Sequence, residues 1–389
     1  MDGPDRSHKG VGAASEEVRE LLKQLPERDW WERQEIISSL VARPGTEYLP
    51  YLAEGLRNHD DADIRNSAME VFRALGVRAI PSLASLARDD EDSEVRLFAV
   101  NILCQIRDKT ALPILTGALF DSDVNVRCAA AEALGSAGDL RALGPLKEAL
   151  TDEPWVAMAA LGALGEIGGA GALNILYDCL DKRIYPDVAM IAIEKAGNPD
   201  SIKHLTPIFS DPVLRDPALK AIIRVAERAG VRPRPEYFIS LVPMLIEMLD
   251  SRDEEMKKYA FMALSWSAEI TGLPFLLEGV RDEELQEYAI EGLLGIGRKA
   301  VCGIVDEMKL SDGGHRPVLS KVLSMIGGAE ALLQFAGDED PEVRTEVALA
   351  LGSLDMDRAV RTLHEMLSDE DEEVRLAARR SLSQAEKHE

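Results

Sequence analysis

Six histidines and four cysteines are the side chains here that could hold a metal or act as nucleophiles. They are His8, His59, His204, His315, His364 and His388, with Cys104, Cys128, Cys179 and Cys302. Their spacing supports neither use. No HExxH pair exists, and no two cysteines form the CxxC of a zinc knuckle or redox dithiol. No G-x-S-x-G nucleophile elbow occurs. The stretch from Gly292 to Lys299, GLLGIGRK, superficially suggests a phosphate loop. It lacks the Lys-Ser/Thr ending and follows a helical pattern, so it reads as a helix C-cap. Gly168-Gly169-Ala170-Gly171 reads as a turn between helices. The acidic runs at 89–94 and 338–342 lack the glycine and final glutamate of a calcium loop. No catalytic group, metal or cofactor is expected.

Chemistry being absent, the elements decide. The chain has 389 residues, with 69 Asp and Glu against 44 Lys and Arg, a net charge of −25. That opposes binding to nucleic acid or to an anionic membrane, both of which need excess cation. Apolar residues make up 46% but aromatics only 5%, a composition that suits packed helices. The start, MDGPDRSHKGVGAAS, has no apolar signal core, and no apolar run approaches the ~18 residues of a membrane span. With few cysteines as well, a cytoplasmic location is expected.

Repetition is the strongest signal. Residues 90–103 read DEDSEVRLFAVNIL, 121–135 read DSDVNVRCAAAEALG, 338–352 read DEDPEVRTEVALALG and 369–378 read DEDEEVRLAA. The Ile/Val-Arg pair ends at Arg65, Arg96, Arg127, Arg344 and Arg375, in steps of 31, 31, 217 and 31 residues. Since 217 is seven times 31, a period of 31 runs through the divergent middle. From Val126, Ala130, Ala133 and Leu134 share one helical face. Asp residues precede this helix as N-caps, and Gly135 is expected to end it in a left-handed cap. A shorter partner helix carries proline near its start, as at Pro50, Pro81, Pro113, Pro145, Pro207, Pro243 and Pro274. One such hairpin cannot bury its own apolar face, whereas a stack can. The predicted fold is all-α, an α-solenoid of about twelve two-helix repeats. Residues 1–14 are expected as a disordered tail, 15–229 as an N-terminal array, 230–235 as a loop or bend and 236–389 as a C-terminal array. Trp30 and Trp31 are expected to cap the first layer.

The D-x-x-VR-x-x-A-x-x-AL-G pattern resembles HEAT repeats, in particular the short phycobilisome-lyase HEAT-like class of the armadillo-type superfamily. The resemblance covers about residues 26–385, strongly at 59–165 and 338–380 and weakly at 181–330. It implies that the proline helices lie on the convex side and the VR helices on the concave side. It also implies a ladder in which Arg65, Arg96, Arg127, Arg344 and Arg375 pair with turn aspartates. Ala157, Ala189, Leu219 and Lys257 fall in the same slot and should interrupt it. The family implies mostly binding scaffolds, a few bilin lyases and a few di-iron enzymes built on four His-Glu pairs. This chain has two such pairs, His364-Glu365 and His388-Glu389, too few for that site.

The repeat register points to a contact face. Two residues beyond each assigned origin a side chain should face solvent on the concave side. That row reads Leu97, Cys128, Met158, Met190, Lys220 and Lys258, later reaching Ser320. Its apolar members, with Trp155, form a strip rimmed by acids and expected to bind a protein partner. Lys220, Arg224 and Arg228 recur at i, i+4 and i+8 and form, with Lys258, a basic stripe. The stripe suits an acidic helix, loop or phosphate, or else balances neighbouring acids on a solvated face. The expected function is a protein-binding scaffold or adaptor. A bilin-lyase-like enzyme or chromophore chaperone is the alternative, and a metal-dependent oxidoreductase a weaker one.

Overall fold

The computed structural model describes residues 7–310, 314–352, 354 and 357–385, with side chains from 16 to 383 within that set. Among the described residues every regular element is helical. Helix Ser7–Gln24 begins inside the segment expected to be a tail. The chain divides into two compact units, one ending at Gly197 and one starting at Asn198. The expected division at 230–235 falls instead within the second unit.

Each unit is a two-layer stack. In the first, helices Ala62–Leu75, Ser93–Ile106, Val124–Ala137, Pro154–Ile167 and Pro186–Ala196 pack side by side in one layer. The second unit repeats the arrangement with Arg215–Ala229, Glu254–Ser267, Gln286–Ile296, Arg316–Met325, Pro341–Leu351 and Glu372–Ala385. The other layer holds shorter helices such as Leu49–Leu56, Ile80–Asp89, Leu112–Ala118, Val242–Met248 and Leu273–Gly279. Each of these has proline in its first turn, where no N–H is needed. Aspartate N-caps start the long helices as expected: Asp61, Asp92, Asp123, Asp253 and Asp340 each accept backbone N–H groups of the first turn.

Gly135 does not end its helix. Val124–Ala137 stops at Gly138, which takes φ +65°. Gly135 is interior and buried, and a Cβ there would meet the Ala163 Cα at 2.7 Å. Gly165 stands in the same way 3.0 Å from Ala192. The repeated glycine therefore lets adjacent long helices touch backbone to backbone. Gly297, in the GLLGIGRK stretch, is a helix end: it has φ +65° and its N–H bonds to the Leu293 carbonyl.

Trp30 and Trp31 do not cap a layer from within. They stack edge to face at the start of helix Trp30–Ala42 and both are largely exposed. The loop expected as a bend is instead a strap inside the second unit. Arg232 donates to the carbonyls of Ser265 at 2.7 Å and Glu291 at 3.4 Å, and Pro233 is buried. Phe238 packs edge to face on Trp266.

Candidate functional site

The ladder arginines fix the register. Arg96 holds the Asp121 carboxylate with two bonds of 2.7 and 2.8 Å and donates to the Asp90 carbonyl. Arg127 does the same to Asp152 and to the Asp121 carbonyl. Arg344 does so to Asp369 and to the Asp338 carbonyl. Arg375 donates to the carbonyls of Asp369 and Glu370, and Arg65 to the carbonyl of Asn58 while lying over the Phe98 ring. Asp121, Asp338 and Asp369 thus each serve two successive units, the carboxylate one arginine and the carbonyl the next. A member that sequence reasoning missed is Arg316, bonded to Asp338. Its signal was an arginine 28 residues before Arg344, hidden because valine does not precede it.

Counting from the ladder position, residues at +3, +4, +6 and +7 are buried. This holds from Arg96, Arg127, Ala157, Pro186, Arg215, Lys257, Arg316 and Arg344. With Gln286 in the slot between Lys257 and Arg316, its side chain bonded to the Val280 carbonyl, the steps from Arg127 to Arg344 are 30, 29, 29, 42, 29, 30 and 28 residues. Seven units span the middle as expected, but their lengths are unequal, and the 42-residue step contains the strap. The expected slots Ala189 and Leu219 are therefore corrected to Pro186 and Arg215, shifts of three and four residues. Such shifts are nearly a whole helical turn and preserve the apolar pattern.

This changes the strip. Met190 sits at +4 from Pro186 and is 1% exposed, so it belongs to the core and not to the surface. Ser320, expected to face solvent, is likewise buried. Ile191, which sequence reasoning passed over, is 66% exposed, and Trp155 is 71% exposed. Leu97, Cys128 and Met158 are half-buried, their sides covered by neighbouring helices. The outward stripes are consistent from helix to helix at −2, +5 and +9: Asn125, Glu132, Ser136, then Trp155, Gly162, Glu166, then Ile191 and Lys195. Glu166 and Lys195 form an ion pair, both at +9, which shows that neighbouring stripes are level. Burial pushes the Cys128 thiol up, as it does that of Cys179, so neither favours the reactive thiolate.

The basic stripe is present but paired. Lys220 reaches Glu255 at 4.0 Å, Arg224 contacts Glu227 and Glu255 at 3.4 Å, and Lys258 contacts Glu284 at 3.4 Å. Arg224 also lies over the Tyr259 ring, and Arg228 is exposed at the end of the same helix. Tyr259 donates to Glu255 at 2.7 Å, and burial together with that carboxylate pushes its hydroxyl up to about 12. Lys220, Arg224 and Lys258 thus each face an acid of the chain itself.

Among the described residues no cluster of three or more His, Cys, Asp or Glu is arranged to hold a metal. His364 is exposed on helix Asp357–Met366, and His388 lies outside the described residues. No helix of the described residues is long and apolar enough to cross a membrane.

Residues 80–156 and 329–389 match the HEAT repeats family. Both stretches are HEAT repeats. The paired Arg96–Asp121 and Arg344–Asp369 rungs lie inside them. A search of curated proteins finds no match. Among solved structures, that of Kap95p with RanGDP superposes with a TM-score of 0.56 at 14% identity, covering 99% of this chain and 64% of that chain. Kap121p bound to Nup53p gives 0.53 at 15% identity, over 96% and 49%. Kap121p bound to the SUMO protease Ulp1p gives 0.51 at 16%, over 95% and 49%. This chain thus spans less than two thirds of each. At such identities the likeness shows the fold, a HEAT-type α-solenoid, and nothing of the partner.

Proposed function

We propose that the chain is a protein-binding scaffold whose contact surface is the outward face of helices Val124–Ala137, Pro154–Ile167 and Pro186–Ala196. The observation that carries this is the pair Trp155 and Ile191, large apolar side chains exposed on neighbouring helices of one layer. Met158 and Cys128 continue the apolar surface beside them. Large apolar side chains exposed on one face mark interaction sites, and tryptophan is enriched among the residues that anchor protein interfaces. The backbone contacts at Gly135 and Gly165 bring this layer close together, which favours it as the inner, concave side of the first unit. The superposed solenoids support the reading, because their structures hold protein partners. Surface complementarity on a rigid stack is the mechanism.

The test is a paired capture from native lysate, read by mass spectrometry, with wild type and Trp155→Glu/Ile191→Glu as baits. Both must show equal helical content and melting. Proteins held by wild type and lost by the variant are expected. Identical recoveries would end the assignment to this face.

A further inference from the structure

The row at +5 across the first unit reads Glu132, Gly162, Ile191. Gly162 lies mid-helix and exposed, and a Cβ built on it meets nothing within 4 Å. Packing therefore does not require glycine here, in contrast to Gly135 and Gly165. Glycine in an exposed helix interior costs about 0.5–1 kcal/mol relative to alanine. What it leaves is a gap in the row of side chains, with bare backbone open to solvent. Trp155, seven residues earlier on the same stripe, stands at one end, and the Glu166–Lys195 pair is at the other. Ile191 and Glu132 hold the same +5 position on the two neighbouring helices. The three helices carry Glu132, Glu166, Asp187 and Glu194 against Lys195, leaving aside the ladder Arg127. No described cation pairs with Glu132 or Asp187.

Resting on the scaffold reading, we infer that this gap receives one bulky apolar side chain from a basic amphipathic helix of a partner protein. Lysines or arginines of that helix pair with Glu132 and Asp187. A hydrophobic anchor inserted between exposed Trp155 and Ile191 loses its water, while the cations meet carboxylates that no described cation of the chain pairs. The helix-in-groove mode needs just such anchors at i, i+3 or i+4 spacing.

The probe is a phage library of helix-favouring peptides, random at their outward positions, panned on the full chain. Enriched peptides are expected to carry Lys or Arg with one large apolar residue at helical spacing. Each should bind Gly162→Gln at least tenfold more weakly, although that variant melts no lower than wild type. Glu132→Gln/Asp187→Asn should weaken them as well. Acidic or uncharged winners, no enrichment over an unrelated acidic protein, or winners indifferent to Gly162→Gln would each overturn the inference. Acidic winners lost on Trp155→Glu remove this occupant and leave the scaffold face standing. Winners indifferent to both Trp155→Glu and Gly162→Gln remove both.

Discussion

Arg96 and Asp121 form a forked ion pair with side chains 10% and 9% exposed, and the same Asp121 offers its carbonyl to Arg127 at 2.9 Å. The pair is thus a staple between consecutive repeats. It also shapes a turn, since the Asp121 carboxylate accepts the Asp123 N–H at 2.8 Å.

Removing one partner leaves the other buried and charged. Asp121→Ala should therefore cost about 3–5 kcal/mol in urea unfolding. Arg96→Met/Asp121→Leu should cost much less than the sum of the single changes. Equal, additive losses would mean that the pair is not coupled.

Acid should open this ladder. The Arg344 guanidinium beside Asp369 holds its carboxyl below the usual range, despite burial that pushes it up. A folded value below the unfolded one means that stabilisation is fully present above about pH 4. It is lost as pH falls through the lowered value. Between pH 5 and 2, Asp369→Asn should lose less stability than wild type, as measured by urea midpoints.

Lys257 occupies a ladder position, and Asp282 lies 25 residues on, the same separation as Arg96 to Asp121. Lys257 bonds instead to Glu254 at 2.8 Å, while the Asp282 carboxylate accepts only the Glu284 and Leu285 N–H groups among the described contacts. Arginine reaches farther and binds carboxylate with two donors. Lys257→Arg should restore the rung and stabilise by about 1 kcal/mol, seen as a higher melting temperature. A lower one would show that the turn cannot accept the fork.

Two glycines should respond with opposite sign. Gly135→Ala forces a Cβ against the Ala163 backbone and should destabilise by about 1–3 kcal/mol. Gly162→Ala enters open space and should stabilise by about 0.5–1 kcal/mol. Thermal unfolding of the two variants is the check.

Adjacent residues on helix Pro186–Ala196 should differ as sharply. Met190→Glu places a carboxylate in the core and should lower or abolish cooperative unfolding. Ile191→Glu faces water and should leave the melt within about 0.5 kcal/mol of wild type. A reversed order would restore the register with Met190 on the surface.

The repeat, the helical hairpin, the aspartate caps and the five ladder arginines are written in local sequence, because capping and a Val-Arg pair after an acidic turn act within a few residues. The count of seven units in the middle follows from length alone. Which side of each middle helix faces inward does not. Slipping a helix by three or four residues changes its facing by only about 60° or 40°, so an apolar pattern fits several registers nearly equally well. In Pro186–Ala196 the neighbour decides: Gly165 admits Ala192 at backbone distance, which buries Met190 and turns Ile191 outward. The role of the repeated glycine is decided in the same way. Gly135, Gly162 and Gly165 are alike as letters, and only the helix packed beside each one makes the first and last necessary contacts and leaves the middle one open.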